Sequence, residues 1–86
     1  SYFIEVMKES GEYTRLGYWH DRKGENEIDI VAEDELENNI EFIEVKRQEK
    51  NFDEAVLRAK SLLFFKAVGT FKNYEFIYRG LSIEDM

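Results

Sequence analysis

The segment GENEIDIVAEDELENNIEFIEVKRQ, residues 24–48, contains two apolar runs that each carry charged side chains. Both runs, EIDIVAE and IEFIEVKRQ, are rich in β-branched and aromatic residues, which are typical of strands. The acidic stretch DELENN between them predicts a connecting loop. An unpaired buried carboxylate costs on the order of several kcal/mol. The segment therefore predicts two neighbouring strands whose acids need a counter-charge.

Elements are also predicted before this segment. Residues 2–10 have helical spacing, with Tyr2, Phe3, Val6 and Met7 on one face. The aromatic stretch YTRLGYWH, residues 13–20, predicts the first strand, and DRKGEN predicts the turn that follows it. Short loops between three successive strands favour a meander.

Further elements are predicted after it. Asn51 and Glu54 form a capping-box pattern, which predicts a broadly apolar helix over residues 52–67. Residues 74–78, YEFIY, predict a fourth strand that can pair in parallel with the third because a helix separates them. Ser82 predicts the cap of a final turn in LSIEDM. The fold class is therefore α/β, in the order αβββαβ, with a mixed four-stranded sheet packed with two helices.

Composition limits the class of protein. The 86 residues fit one domain, residues 1–86, and 43% hydrophobic residues support a folded core. The absence of cysteine excludes disulfides and thiolate metal sites. No apolar run approaches the roughly 20 residues that cross a bilayer, so we expect no membrane partner and a cytoplasmic location.

Charge argues against a protein that coats DNA generically, because the net charge is −7. Residues 44–86 nevertheless hold 8 of the 12 basic side chains. A basic face for nucleic acid and an ordinary solvated helix face are both open interpretations. The candidate contacts in this half are Lys46, Arg47, Lys50, Arg58 and Lys60.

The charged positions of the two central strands predict a site. Side chains alternate across a strand, so Glu44 and Lys46 share a face. By the same rule Ile28 and Ile30 face one side of the second strand, and Asp29 faces the other. Asp29 and Glu44 then converge at one end of the sheet, where Mg²⁺ would satisfy both carboxylates. Lys46 would orient or deprotonate a water. The alternative is a structural ion pair of Glu44 and Lys46 at the sheet rim.

These motifs and the αβββαβ order resemble the PD-(D/E)XK, or restriction-endonuclease-like, nuclease superfamily. The resemblance implies metal-dependent hydrolysis of DNA phosphodiesters with Mg²⁺ or Mn²⁺. It implies metal binding by Asp29, Glu44 and the carbonyl of Val45, with Lys46 as the catalytic lysine. Ile28 stands where the motif has proline.

The stretches GYWHDRKGENEIDIVAEDE and IEFIEVKRQ look more closely like the C-terminal domain of archaeal-type P-loop ATPases. This resemblance implies that the natural partner is an N-terminal P-loop ATPase domain, and that any ATP binds there. The chain contains no Walker A motif. Because it starts at Ser1 and enters a helical pattern at once, we expect it to be a piece of a longer protein.

Other residues are secondary candidates. Many superfamily members add a glutamate from the first helix; Glu5 and Glu9 are the candidates, and Glu27 and Gln48 are further accessory positions. His20, the single histidine, is more typical of a hairpin residue than of a base. A non-catalytic regulatory or DNA- and protein-interaction module is an alternative function. A resolvase-like nuclease acting as a homodimer on branched DNA is another.

Overall fold

The computed structural model describes residues 1–85, and its elements follow the predicted order. The helices and strands are α1 (Tyr2–Ser10), β1 (Arg15–His20), β2 (Glu27–Asp34), β3 (Asn39–Lys46), α2 (Glu54–Val68) and β4 (Glu75–Ser82). Single 3₁₀ turns lie at Glu49–Asn51 and Ile83–Asp85. The αβββαβ order is thus confirmed. Ser82 Oγ accepts the Glu84 amide at 3.1 Å, as predicted for the cap of the final turn. Met86, the last residue of the stretch LSIEDM, lies outside the described residues.

The sheet has the strand order β1-β2-β3-β4. β1 with β2 and β2 with β3 are antiparallel, as expected of strands joined by short loops. β3 and β4 are parallel, and α2 is the crossover between them. The mixed four-stranded sheet predicted from the sequence is confirmed.

Two apolar clusters cover opposite faces of the sheet. Adjacent residues of β3 divide between them: Phe42 packs with Leu57 and Phe64 of α2, whereas Ile43 packs with Met7 of α1. Ile30 belongs to the α1 cluster as well. The result is three layers, with α1 on one face of the sheet and α2 on the other.

A β-bulge in β2 overturns the predicted alternation of its side chains. Trp19 lies opposite Ile28 and Gly17 lies opposite Val31, so two steps along β1 match three along β2. Because of the extra residue, the side chains on the two sides of the bulge no longer follow one continuous alternation between the faces of the sheet. Ile28 therefore packs in the α2 cluster and Ile30 in the α1 cluster, and the prediction that they share a side is wrong.

The apolar face of α1 also differs from the prediction. Tyr2 is 55% exposed and Val6 is 47% exposed, while Phe3, Ile4 and Met7 pack against the sheet. Helical spacing alone does not distinguish the predicted face from the observed one, because apolar residues three or four positions apart occur in both. The helix ends where it was expected, at Gly11 with φ of 71°.

The start of α2 is later than predicted. Asp53, not Asn51, is the N-cap, and its carboxylate accepts the Val56 amide at 3.3 Å. Phe52 has an extended backbone, and its ring fills the space over Gly80 so closely that an added Cβ would lie 2.6 Å from its Cγ. This contact keeps residue 52 outside the helix. At the other end, Gly69 closes the helix after Val68 with φ of 72°.

Strand boundaries shift by one to four residues. β1 starts at Arg15 rather than residue 13, and β3 ends at Lys46 rather than residue 48. β4 extends to Ser82 instead of stopping at residue 78, because it stays paired with β3 as far as Lys46. Its last residues, RGLS, have weak strand propensity, so the pairing determines their conformation.

Candidate functional site

Asp29 and Glu44 meet at the edge where β2 and β3 separate. Their regular pairing stops at Ile30 and Ile43, so Asp29 lies just beyond the ladder, at the bulge. There its Oδ2 accepts the backbone amide of Val45 at 2.8 Å. That hydrogen bond holds the Asp29 carboxylate against β3, beside Glu44.

Glu44 is buried, with 6% of its surface exposed, on the sheet face that α2 covers. The Lys60 Nζ donates to Glu44 Oε1 at 2.8 Å. Burial raises the pKa of Glu44 above its ordinary value of 4.5; Lys60 opposes this rise, and contact and charge repulsion with Asp29 add to it. Glu44 therefore has Asp29 as a like-charged neighbour and Lys60 as its counter-ion.

A cavity of about 120 Å³ lies beside Glu44, whereas Asp29 lines a separate groove. Glu44, Lys46 and Lys60 all line it, as do Asn51 and Asp53 from the segment before α2. Glu44 and Lys46 thus share a face, in agreement with strand alternation. Among the described residues the ion-pair partner of Glu44 is Lys60 rather than Lys46, so the rim pair considered as an alternative is not formed.

The predicted accessory acids do not lie together with Asp29 and Glu44. Within residues 1–85, no three histidine, cysteine, aspartate or glutamate side chains lie in an arrangement that could hold a metal. Glu5 is exposed on α1. Glu27 is exposed and lines a separate groove with Asp29 and Ile4. Among the described residues, the carboxylates brought together at this site are therefore those of Asp29 and Glu44.

The predicted basic contacts divide into two kinds. Arg47 and Lys50 are exposed after β3, and Gln48 is half-buried between them. Arg58 donates to Glu54 Oε2 at 2.9 Å, and its guanidinium lies 4.3 Å from the centre of the Tyr78 ring. The Arg58 side chain is therefore already in contact with residues of this chain. Exposed pairs of this type add little stability.

Two of the three tyrosine and tryptophan residues in the stretch 13–20 have structural roles. Trp19 packs edge-on against Phe64 with ring centres 5.7 Å apart. Tyr13 donates to Glu41 Oε2 at 2.6 Å. Tyr18 is 67% exposed and stacks on His20, which is an exposed residue at the end of β1.

Lys60 is the functional residue whose role the sequence reasoning missed. It was considered only as a nucleic-acid contact, yet its ammonium is directed inward to Glu44. A signal was present, because position 60 is three residues after Leu57 and four before Phe64, both of which are buried. Helical spacing puts such a residue on the face that meets the sheet.

A comparison with known protein families identifies the family of this chain. Residues 2–58 match DUF234, described as archaeal and bacterial proteins of unknown function. The match covers α1, the three antiparallel strands and the start of α2, and the chain belongs to this family. A search of curated proteins and a search of solved structures found no significant match. No helix in the described part of the chain is long and apolar enough to cross a membrane.

Proposed function

We propose that this chain is a PD-(D/E)XK nuclease-like domain that hydrolyses DNA phosphodiesters with a divalent cation held by Asp29 and Glu44. The observation that carries the proposal is the placement of these two carboxylates on adjacent strands. Asp29 accepts the amide of Val45, the residue after Glu44, and Lys46 lines the same cavity as Glu44. The αβββαβ order with a mixed sheet supports it.

The acid pair fits a divalent cation. Mg²⁺ usually takes one or two carboxylates and completes its shell with water and substrate phosphate. Like-charge repulsion and burial, which raise the pKa of Glu44, are both relieved by a cation at the pair. When bound, Mg²⁺ or Mn²⁺ supplies charge stabilisation to the phosphate and lowers the pKa of a coordinated water.

The chain's own residues have separate tasks in this proposal. Asp29 is held in place by the Val45 amide, so it needs no reorganisation to bind. Lys60 neutralises Glu44 until a cation replaces it. Lys46 presents an ammonium at the cavity, where it stabilises negative charge that develops on the phosphate and orients the attacking water.

The test is a nuclease assay with Lys46→Ala. We expect plasmid DNA to be cleaved in Mg²⁺ or Mn²⁺, and the variant to lose activity by about 10² to 10³-fold, the usual loss for one electrostatic group. Lys66→Ala is the control, because Lys66 is an exposed lysine that is not among the candidate DNA contacts. Equal activity of the Lys46 variant and the parent would refute the assigned role.

A non-catalytic regulatory module is the second candidate. It is favoured by the Lys60–Glu44 ion pair and by the absence of a third metal-ligating acid near the pair in the described residues. The resemblance to P-loop ATPase C-terminal domains suggests an attached ATPase as the regulated partner. In the longer protein, an ATPase rate that changes on deletion of this domain but not in Asp29→Asn would support regulation over hydrolysis.

A further inference from the structure

A second cavity lies on the α2 face of the sheet, near the C-terminal end of that helix. Its volume is about 260 Å³. The walls are mainly apolar, and they include Gly17, Trp19, Val31, Phe64 and Phe71. It shares no lining residue with the cavity beside Glu44.

Glu33 places a buried carboxylate in this apolar lining. Its side chain is only 7% exposed. The Tyr74 hydroxyl donates to Oε2 at 2.8 Å, but Oε1 accepts no hydrogen bond from the described chain. Arg15 Nε lies 3.6 Å from Oε1, which is within ion-pair range but too long for a hydrogen bond. A buried carboxylate oxygen without a hydrogen bond is costly, so this atom needs a donor.

Arg15 is a weak partner for that oxygen. Its side chain is 72% exposed, and a second contact, 3.5 Å from Glu35, divides its charge. Because the guanidinium stays largely in solvent, this pair is weaker than one in which both partners are buried. An incoming N–H group can therefore replace the guanidinium at Glu33 with little loss.

We propose that this cavity binds a small ring-containing amine. The ring lies among Trp19, Val31 and the phenylalanines, and the protonated nitrogen donates to Glu33 Oε1. Pockets for small ligands combine apolar walls with a few placed polar groups, as here. A ligand carboxylate would meet the Glu33 carboxylate and be repelled, and a neutral hydroxyl would make a weaker hydrogen bond to Oε1 than an ammonium does. The buried Glu33 carboxylate thus favours a cationic donor over both.

Fluorescence provides the test, because Trp19 is the single tryptophan and lines the cavity. Benzylamine, benzyl alcohol and benzoate have the same ring and differ in the polar group. We expect benzylamine to change the Trp19 emission with saturation, at an affinity about tenfold or more above that of the other two. A charged hydrogen bond of ordinary strength accounts for a factor of that size.

Three variants separate this proposal from non-specific apolar binding. Glu33→Gln keeps an acceptor for Tyr74 and should lower the benzylamine affinity about tenfold, to the level of benzyl alcohol. Arg15→Met removes the competitor and should raise the benzylamine affinity by about twofold to fivefold. Glu35→Gln is the matched control, because Glu35 is an exposed acid, and it should change the benzylamine affinity less than twofold.

Two results would overturn the proposal. One is the same affinity for all three compounds in the parent protein. The other is a Glu33→Gln protein, folded by circular dichroism, that still binds benzylamine as the parent does. If Glu33→Gln does not fold, Val68→Phe serves instead, because Val68 lines the cavity and is 40% exposed, and phenylalanine leaves Trp19 as the single tryptophan. It should abolish benzylamine binding, and retained binding would place the ligand elsewhere.

Discussion

Lys60→Met is predicted to destabilise the protein and to tighten its binding of divalent cations. The substitution keeps a chain of similar length but removes the ammonium that lies 2.8 Å from Glu44 Oε1. Glu44 is then left buried beside Asp29 with no cation. Breaking a fully buried ion pair by removing one partner costs about 3–5 kcal/mol. The Lys60 side chain is 23% exposed, so solvent screening lowers our expectation to about 1–3 kcal/mol at neutral pH.

The stability lost in Lys60→Met should depend on pH, and the direction of this dependence follows from the raised pKa of Glu44. Its pKa is raised in the folded protein, so the folded state binds protons more tightly than the unfolded chain. The stability contributed by this group is therefore complete below its ordinary pKa of 4.5 and is lost as pH rises through the folded value. Removal of Lys60 raises the pKa of Glu44 further. The difference in the free energy of unfolding between Lys60→Met and the parent protein should thus be large near pH 7 and small near pH 4.

The assay is urea unfolding at both pH values, with and without Mn²⁺. A cation that replaces Lys60 should recover the lost stability, since ligand at a hundredfold excess over its Kd adds about 2.7 kcal/mol. Lys66→Met is the matched control, because Lys66 is an exposed lysine in the last turn of the same helix and should change stability by at most about 0.5 kcal/mol. A Lys60 variant with parental stability, or one whose Mn²⁺ affinity is unchanged, would refute the reasoning.

Three further predictions test the packing and charge around the sheet. Gly80→Ala should cost about 1–3 kcal/mol in urea unfolding, because its Cβ would lie 2.6 Å from Phe52 Cγ; parental stability would show that Phe52 moves freely. Leu57→Ala should cost about 2–5 kcal/mol, since Leu57 is fully buried, and a loss below 1 kcal/mol would contradict its core position. Burial and the hydrogen bond to Glu41 raise the pKa of Tyr13 to about 12, so stability should fall between about pH 10 and 12. Glu41→Gln should lower that pKa in an ultraviolet titration.

The order of elements was predictable because each signal in the sequence is local. Strand runs are separated by turn residues, and Gly11 and Gly69 end the two helices. The parallel pairing of β3 and β4 followed from the helix between them. What was not predictable depends on tertiary contacts. Phe52 is kept out of α2 by its packing on Gly80, which no local pattern reveals.

The site was only partly predictable for the same reason. Alternation along β3 put Glu44 and Lys46 on one face, as the structure has them. Alternation along β2 failed, because a bulge at Asp29 inserts an extra residue between the two isoleucines. The inward direction of Lys60 depends on the position of α2 over the sheet, which the helical pattern suggests but does not determine.

Calorimetric titration with Mn²⁺ tests whether Asp29 and Glu44 form one cation site. We expect one Mn²⁺ per chain in the parent protein, and at least tenfold weaker binding in both Asp29→Asn and Glu44→Gln. Glu27→Gln is the control, since Glu27 is an exposed acid two residues from Asp29 and should bind as the parent does. Absence of binding in the parent, or equal binding by all four proteins, would contradict the account.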